Sequence, residues 1–239
     1  LYQKKDLVAS ACLLASSDAE KNDVQSLLPA NKIISIPNGC EEAPTEKHDS
    51  ALLPRDNSTR WALAMGRLHP VKGYAELIEA WAGLSQPGWR LAIAGPDEAG
   101  YRTTLEALIR RYRVDDPDIL LGEVDDIQKW SLLEQCELFV APSKTENFGM
   151  AIAEALQSGT PVITTTGTPW CELQEYNCGW WIEPGIETIM RSLKEAMTLE
   201  AEKLKEKGAR GRGLIAEKYS WRQVAAKTIE LYRSILNPE

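Results

Sequence analysis

Short apolar runs alternate with longer segments of helical period along most of this chain. The runs that predict buried strands are residues 12–15, 33–36, 61–65, 91–94, 119–121, 138–141, 162–165 and 180–182. Between them, apolar side chains recur at helical spacing, as in the segments that begin at Tyr74 and Ile186. A strand followed by a helix, repeated from residue 61 onward, predicts an α/β fold with a Rossmann-like, doubly wound parallel sheet. Ligands of such sheets bind at the carboxyl ends of the strands, so the loops there are the candidate sites.

Three segments depart from this repeat. Residues 1–40 do not continue it, and residues 44–59 are polar without an apolar period, which predicts a linker or a long surface connection. Residues 200–236 are predicted to be helical. They are highly charged up to residue 220, and a last amphipathic segment begins at Trp221. Residues 211–216 fit a relaxed dinucleotide fingerprint, but no strand precedes them, so we interpret their glycines as a break between helices.

Composition and charge exclude several classes of protein. With 44% hydrophobic residues among 239, the chain is neither disordered nor a rod. Its 27 basic and 35 acidic residues leave a net charge of −8, the wrong sign for a broad nucleic-acid surface. Five widely spaced cysteines predict reduced thiols in a cytosolic protein, and the two histidines form no metal cluster with them. The apolar run at residues 7–14 loosely imitates a secretory signal, but it is short, and no stretch has the length of a membrane span.

A first candidate site follows the predicted strand at residues 61–65. Gly66-Arg67 and Lys72-Gly73 lie between that strand and the helix that begins at Tyr74. Arginine offers a planar fork, lysine a point charge, and glycine a close backbone approach, so the segment suits a phosphate. A pair of solvated loop cations explains the same residues equally well.

A second candidate site follows the predicted strand at residues 138–141. Gly149 is expected to open a helix whose apolar face leaves Glu154 pointing to solvent or to a ligand. The amides at the start of that helix suit a phosphate, because they are unpaired and carry partial positive charge. Glu146 lies just before them, where a carboxylate competes with phosphate unless it binds a neutral hydroxyl group. An ordinary capping carboxylate at Glu146 and a solvated Glu154 are the alternatives.

Together, the two sites resemble a known pattern. The chain is similar to the carboxyl-terminal, nucleotide-sugar-binding half of retaining GT-B glycosyltransferases, closest to glycosyltransferase family 4. Gly66-Arg67 with Lys72-Gly73 resembles the diphosphate-binding residues of that family, and Glu146 to Glu154 resembles its Glu-x7-Glu motif. Two flanking stretches, Ile36-Pro-Asn-Gly39 and Tyr219-Ser-Trp221, resemble the entry to this half and the start of its terminal helix.

The resemblance implies a role for each site residue. Arg67 and Lys72 are expected to stabilise the departing nucleoside diphosphate, and Glu146 to bind the donor sugar; these three are the expected catalytic residues. Glu154 is expected to bind the ribose hydroxyls. The remaining donor-binding residues are expected to be Gly66, Asn147, Phe148, Gly149, Met150 and, in a loop beside the base, Val124. A turn capped by Asp125 or Asp126 explains that last loop equally well.

The resemblance also implies an organisation in three parts. Residues 1–40 are expected to be a remnant of the amino-terminal GT-B domain with the interdomain hinge, in which residues 4–17 form its last strand and residues 18–28 its last helix. Residues 41–220 are expected to form the nucleotide-sugar-binding domain, and residues 221–239 the terminal cross-over helix. The chain would then lack the acceptor domain, and by itself it is expected to bind a donor but to transfer little or nothing.

The expected function is hexosyl transfer from a nucleoside-diphosphate sugar to a glycan or lipid-linked acceptor, in polysaccharide or lipopolysaccharide synthesis. The acceptor would be held through the missing amino-terminal domain. No nucleic acid, cofactor or metal is expected, and the location is expected to be cytoplasmic, with membrane association only for the full-length protein. A sugar-nucleotide 2-epimerase of GT-B fold and a non-catalytic nucleotide-sugar-binding module are the alternatives.

Overall fold

The computed structural model describes residues 2–44, 52–54, 59–85, 87–114 and 119–237, with side chains from residue 5 onward. A six-stranded parallel sheet lies at its centre, in the order β5-β4-β3-β6-β7-β8. Its strands are β3 (Arg60–Met65), β4 (Trp89–Ala94), β5 (Leu120–Gly122), β6 (Leu138–Ala141), β7 (Val162–Thr165) and β8 (Gly179–Ile182). The predicted doubly wound α/β fold is confirmed.

The helices cover both faces of this sheet, because alternate side chains of each strand point to opposite faces. In β3, Leu63 packs into one core cluster, while Ala62 and Ala64 pack into the other. The helices are α3 (Tyr74–Ala82), α4 (Tyr101–Tyr112), α5 (Asp126–Gln135), α6 (Met150–Gln157), α7 (Glu172–Glu175), α8 (Ile186–Thr198) and α9 (Ala201–Leu214). The clusters show that α3, α4 and α8 pack on one face and that α5 and α6 pack on the other.

The chain reverses its direction across the sheet between β3 and β6. From β3 it moves outward to β4 and β5, and it then returns to β6 on the other side of β3 before continuing to β7 and β8. The loops after β3 and β6 therefore diverge at the carboxyl edge of the sheet. This switch point is where an open α/β sheet forms its ligand crevice.

The amino-terminal segment forms a separate small unit. It contains α1 (Tyr2–Ala9), β1 (Leu13–Ala15), α2 (Asp18–Leu27) and β2 (Ile33–Ser35), with β1 and β2 paired in parallel. The interpretation of residues 4–17 as a strand is wrong over its first part, where α1 lies, although β1 falls inside it. Much of the predicted linker at residues 44–59 lies outside the described residues.

The carboxyl-terminal segment returns to the residues that follow this unit. The predicted helix break at residues 211–216 is wrong, because α9 continues to Leu214 and the irregularity is a π-helical turn at Ile215–Tyr219. Gly208 and Gly211 are buried within α9, where they allow close contact with the turn at Gly159 and with α6, so the glycines serve packing. The last helix, α10 (Trp221–Leu236), begins beside Cys40, whose amide donates to the Tyr219 carbonyl at 2.7 Å. None of the described helices combines the length and apolar character needed to cross a membrane.

Candidate functional site

A cavity of about 970 Å³ lies at the switch point of the sheet. The loops after β3 and β6 form its floor, and the amino-terminal unit and α10 form its opposite side. The residues expected from the sequence that line it are Gly66, Arg67, Lys72, Glu146, Asn147, Phe148, Gly149 and Met150. Residues separated by about 80 positions in the chain thus meet in one crevice.

The loop after β3 is shaped by local backbone requirements. His69 caps a short 3-10 helix, Pro70–Lys72, by accepting a hydrogen bond from the Val71 amide at 3.2 Å. Gly73 then takes a left-handed conformation with φ of 72° and starts α3. A Cβ atom at Gly73 would collide with the carbonyl oxygen of Pro142 in the other loop, so glycine allows the two loops to pack directly.

Lys72 and Glu146 form an ion pair at the floor of the cavity. Their side chains are 19% and 17% exposed, respectively, so solvent screens this pair less than it screens a surface pair. The Ser143 hydroxyl donates to the same Glu146 oxygen at 2.9 Å. Burial and the charge of Glu146 raise the pKa of Tyr74, which lies beside Gly66, so this phenol remains neutral. The floor therefore presents a cation, an anion and hydroxyl groups together.

Arg67 lies at the exposed rim of the cavity. Its guanidinium pairs with Glu98 at 2.6 Å, and the two side chains are 60% and 38% exposed. An exposed pair contributes little to stability, so the arginine can exchange this carboxylate for another anion at small cost. Glu98 could not be recognised from the sequence, because it follows a different strand.

The start of α6 supplies unpaired backbone donors. Gly149 has φ of 86° and lies immediately before the helix, whose first residue is Met150. Within the described part of the chain, the amides of residues 147–151 donate to no protein acceptor. Four such amides are expected at any helix start, and here they border the cavity. They form an anion-binding surface next to Lys72.

Glu154 lies one turn further along α6 and contacts α5. Its Oε1 accepts a hydrogen bond from Lys129 Nζ at 2.9 Å, and its side chain is 15% exposed. Lys129 is not among the residues expected from the sequence, because its spacing from Asp126 is that of an ordinary surface pair on a helix. Neither Glu154 nor Val124 is among the described residues that line the cavity. Val124 packs against the adjacent core, and Asp125 caps α5 through a full capping box with Gln128.

The amino-terminal unit reaches the loop after β6. The Asn147 side-chain amide donates to Glu20 Oε1 at 3.1 Å, and both the amide and the hydroxyl of Ser16 donate to Glu20 Oε2 at 2.7 Å. Glu20 borders the cavity together with Ser16 and Trp221. Glu20 is not among the residues expected from the sequence, since an acidic residue in the first turn of a helix is ordinary and indicates no ligand.

The described residues contain no group of three or more His, Cys, Asp or Glu side chains close enough to hold a metal ion.

Comparison with known proteins places this geometry in a family. A family model described as glycosyl transferases group 1 matches residues 46–214. The chain is 26% identical over 231 residues to GDP-mannose:cellobiosyl-diphosphopolyprenol alpha-mannosyltransferase from Komagataeibacter xylinus, covering 95% of this chain and 56% of that protein. The chain thus spans little more than half the length of this relative.

Solved structures share the fold. Sucrose-phosphate synthase from Thermosynechococcus elongatus superposes with a TM-score of 0.83 at 22% identity, over 98% of this chain and 60% of that chain. Anabaena HepE, solved in complex with UDP and glucose, gives a TM-score of 0.80 at 20% identity, over 94% of this chain and 64% of that chain. The family match covers more than half of this chain and includes the loops after β3 and β6. The chain therefore belongs to the group 1 glycosyl transferases, which have the GT-B fold.

Proposed function

We propose that this chain is the donor-binding part of a retaining glycosyltransferase that moves a hexosyl group from a nucleoside-diphosphate sugar to a glycan or lipid-linked acceptor. One observation carries the proposal: Lys72, Glu146 and the unpaired amides at the start of α6 border a single cavity. The complex of Anabaena HepE with UDP and glucose supports the same class of donor.

The leaving diphosphate accounts for the basic groups. When the bond between the sugar C1 and the diphosphate breaks, negative charge develops on the departing phosphate oxygen. The Lys72 ammonium and the helix amides lie where they stabilise this charge, and Arg67 reaches it from the rim after leaving Glu98. These groups supply the stabilisation from the protein itself, and we propose that the reaction is metal-independent.

The carboxylates account for the neutral parts of the donor. Glu146 exchanges Lys72 for hydroxyl groups of the sugar, and Ser143 holds the carboxylate in place during that exchange. Glu154 accepts hydrogen bonds from the ribose, and Val124 packs beside the base. The acceptor binds on the opposite side of the cavity, in an amino-terminal domain of which residues 1–40 form one edge. The setting is cell-surface polysaccharide or lipopolysaccharide synthesis at the cytoplasmic side of a membrane.

Calorimetric titration with UDP, GDP, ADP, their sugars and inorganic pyrophosphate, in the presence of EDTA, tests the proposal. We expect one nucleotide to bind and its sugar conjugate to bind more tightly. Lys72→Met should weaken pyrophosphate and nucleotide binding about tenfold or more, because a charge-assisted contact is lost. Lys144→Met is the matched control: its ammonium is 53% exposed and pairs with Glu76 outside the cavity, so affinity should change less than twofold.

Two carboxylate variants separate the sugar from the nucleotide. Glu146→Ala should remove the extra affinity that the sugar gives, and Glu154→Ala should weaken binding of the nucleotide itself. Failure of the folded chain to bind any of these nucleotides would reject the proposal. Equal losses of nucleotide affinity in the two variants would reject the assigned roles.

A further inference from the structure

Lys129 contacts a predicted ligand-binding carboxylate but has no place in the roles assigned so far. It lies in the first turn of α5, and its Nζ is 2.9 Å from Glu154 Oε1 and 3.1 Å from Asp126 Oδ1. The side chains of Lys129 and Glu154 are only 19% and 15% exposed, whereas that of Asp126 is 91% exposed. Solvent screens the contact with Asp126, so Glu154 is the dominant partner.

The charge of Lys129 is maintained despite its burial. Burial lowers the pKa of the ammonium, but the hydrogen bonds and charges of Glu154 and Asp126 outweigh this effect and raise the pKa above its ordinary value. Lys129 is therefore a fixed cation beside Glu154.

The pair leaves hydrogen-bonding capacity unused. Glu154 accepts from Lys129 through Oε1, and among the described residues no donor reaches Oε2. The Lys129 ammonium is held by the two carboxylates and also lies 5.3 Å from the centre of the Trp130 ring. Glu154 Oε2 thus remains an open acceptor, which matches a hydroxyl of a vicinal diol.

The location of the pair fits the ribose of a nucleotide. Glu154 lies one turn beyond the amides at the start of α6, and Lys129 lies one turn beyond the loop that contains Val124. Along the chain, Glu154 thus follows the proposed phosphate site, and Lys129 follows the proposed base wall. A ribose connects those two parts of a nucleoside diphosphate.

We propose that Lys129 is a positioning residue for the ribose of the donor: it holds the Glu154 carboxylate so that Oε2 accepts from the ribose diol. This inference rests on the proposed function, because it deepens the role of the same site. It assigns to α5 a contribution to donor affinity that depends on the ribose hydroxyls and not on the diphosphate.

The experiment measures the affinity of three probes by calorimetry. They are the ribonucleoside diphosphate that the wild-type chain binds, its 2′,3′-dideoxy analogue and inorganic pyrophosphate. Lys129→Met should weaken the ribonucleotide about tenfold, because the Glu154 carboxylate is no longer held, and change the affinities for the other two probes less than twofold. Lys129→Arg, which retains the charge and the donors, should recover most of the loss.

Asp126→Asn is the matched control, since it removes the exposed partner of Lys129 and leaves Glu154 in place. Its affinities should stay within twofold of wild type for all three probes. Thermal unfolding of each variant confirms that it is folded, and Lys129→Gln replaces Lys129→Met if that variant does not fold.

The outcomes separate this inference from the proposed function. If the wild-type chain binds no nucleoside diphosphate, the proposed function is rejected and the inference with it. If the wild type binds but Lys129→Met has unchanged affinity for the ribonucleotide, only the role of Lys129 is rejected. Equal weakening of all three probes would also reject it, because the effect would then come from the fold or the phosphate site.

Discussion

Trp170 connects three parts of the molecule, and its replacement by phenylalanine should be costly. The indole is 1% exposed and packs against Phe148 and Tyr219, with ring centroids at 5.3 and 5.0 Å. Its Nε1 donates to the Phe148 carbonyl at 2.6 Å. The residue thus ties the loop before α6 to the turn that leads into α10. Trp170→Phe preserves an aromatic ring but removes this hydrogen bond.

The magnitude follows from burial. A carbonyl left without its donor in a dry core costs about 1–3 kcal/mol. The smaller ring also leaves a void, which costs about 24 cal/mol for each Å³ that does not close by relaxation. We therefore expect Trp170→Phe to lower the free energy of unfolding by about 2–4 kcal/mol. Because Phe148 borders the cavity, nucleotide affinity should fall as well.

Urea unfolding followed by circular dichroism measures the loss, provided that the m-value is unchanged. Trp181→Phe is the matched control, since its Nε1 also donates to a carbonyl, that of Thr168, at 2.9 Å. The Trp181 indole is only half-buried, whereas that of Trp170 is 1% exposed, so the smaller ring leaves a space that opens to solvent and not a closed void, and we expect a loss smaller than that of Trp170→Phe. Equal losses in the two variants would refute the reasoning, as would a Trp170→Phe loss under about 0.5 kcal/mol.

Three further predictions test other features. Gly73→Ala should destabilise the chain more than Gly100→Ala. Both glycines have positive φ, but only a Cβ atom at Gly73 would collide with a neighbour, Pro142. Equal losses of stability in urea unfolding would contradict this. Burial raises the pKa of Glu137, so the folded state takes up a proton at a higher pH than the unfolded state does. The stability that this protonation contributes is lost as pH rises through the raised pKa. Relative to Glu137→Gln, the wild type should therefore gain stability from pH 7 to about 4.5; a constant difference in urea unfolding would contradict it. Thiol labelling followed by mass mapping should modify the exposed Cys171 in the native chain. Three buried cysteines should be modified only after unfolding, and their modification in the native chain would contradict their burial. These buried residues are Cys40, Cys136 and Cys178.

The elements were largely predictable because their signals are local. All eight predicted strands are present within two residues of their expected ends, since each is a short apolar run between turns. Gly149 lies directly before α6, as expected. The exceptions are α1, whose lysine-rich sequence has no clear period, and α9, whose glycines are buried against Gly159 and α6.

The candidate site was predictable only in its loop residues. Arg67, Lys72 and Glu146 follow strands, and their position relative to the sheet can be derived from the alternation of strands and helices. Their partners carry no such signal. Glu98 comes from the loop after β4 and Lys129 from the first turn of α5, and nothing near either residue in the sequence indicates the group that it meets.

By itself, the sequence determined the order of strands and helices, the two loops that carry the charged residues, and the family to which they belong. These features depend on residue type and on spacing over short stretches of the chain, because local periodicity and backbone preference determine where strands, helices and turns form. The tertiary structure alone decided that Lys72 pairs with Glu146, that Lys129 pairs with Glu154, and that Glu20 reaches Asn147. Each pair joins residues from different elements. The order of strands in the six-stranded sheet brings the two ion pairs together, whereas Glu20 belongs to the separate amino-terminal unit, which packs against the loop after β6.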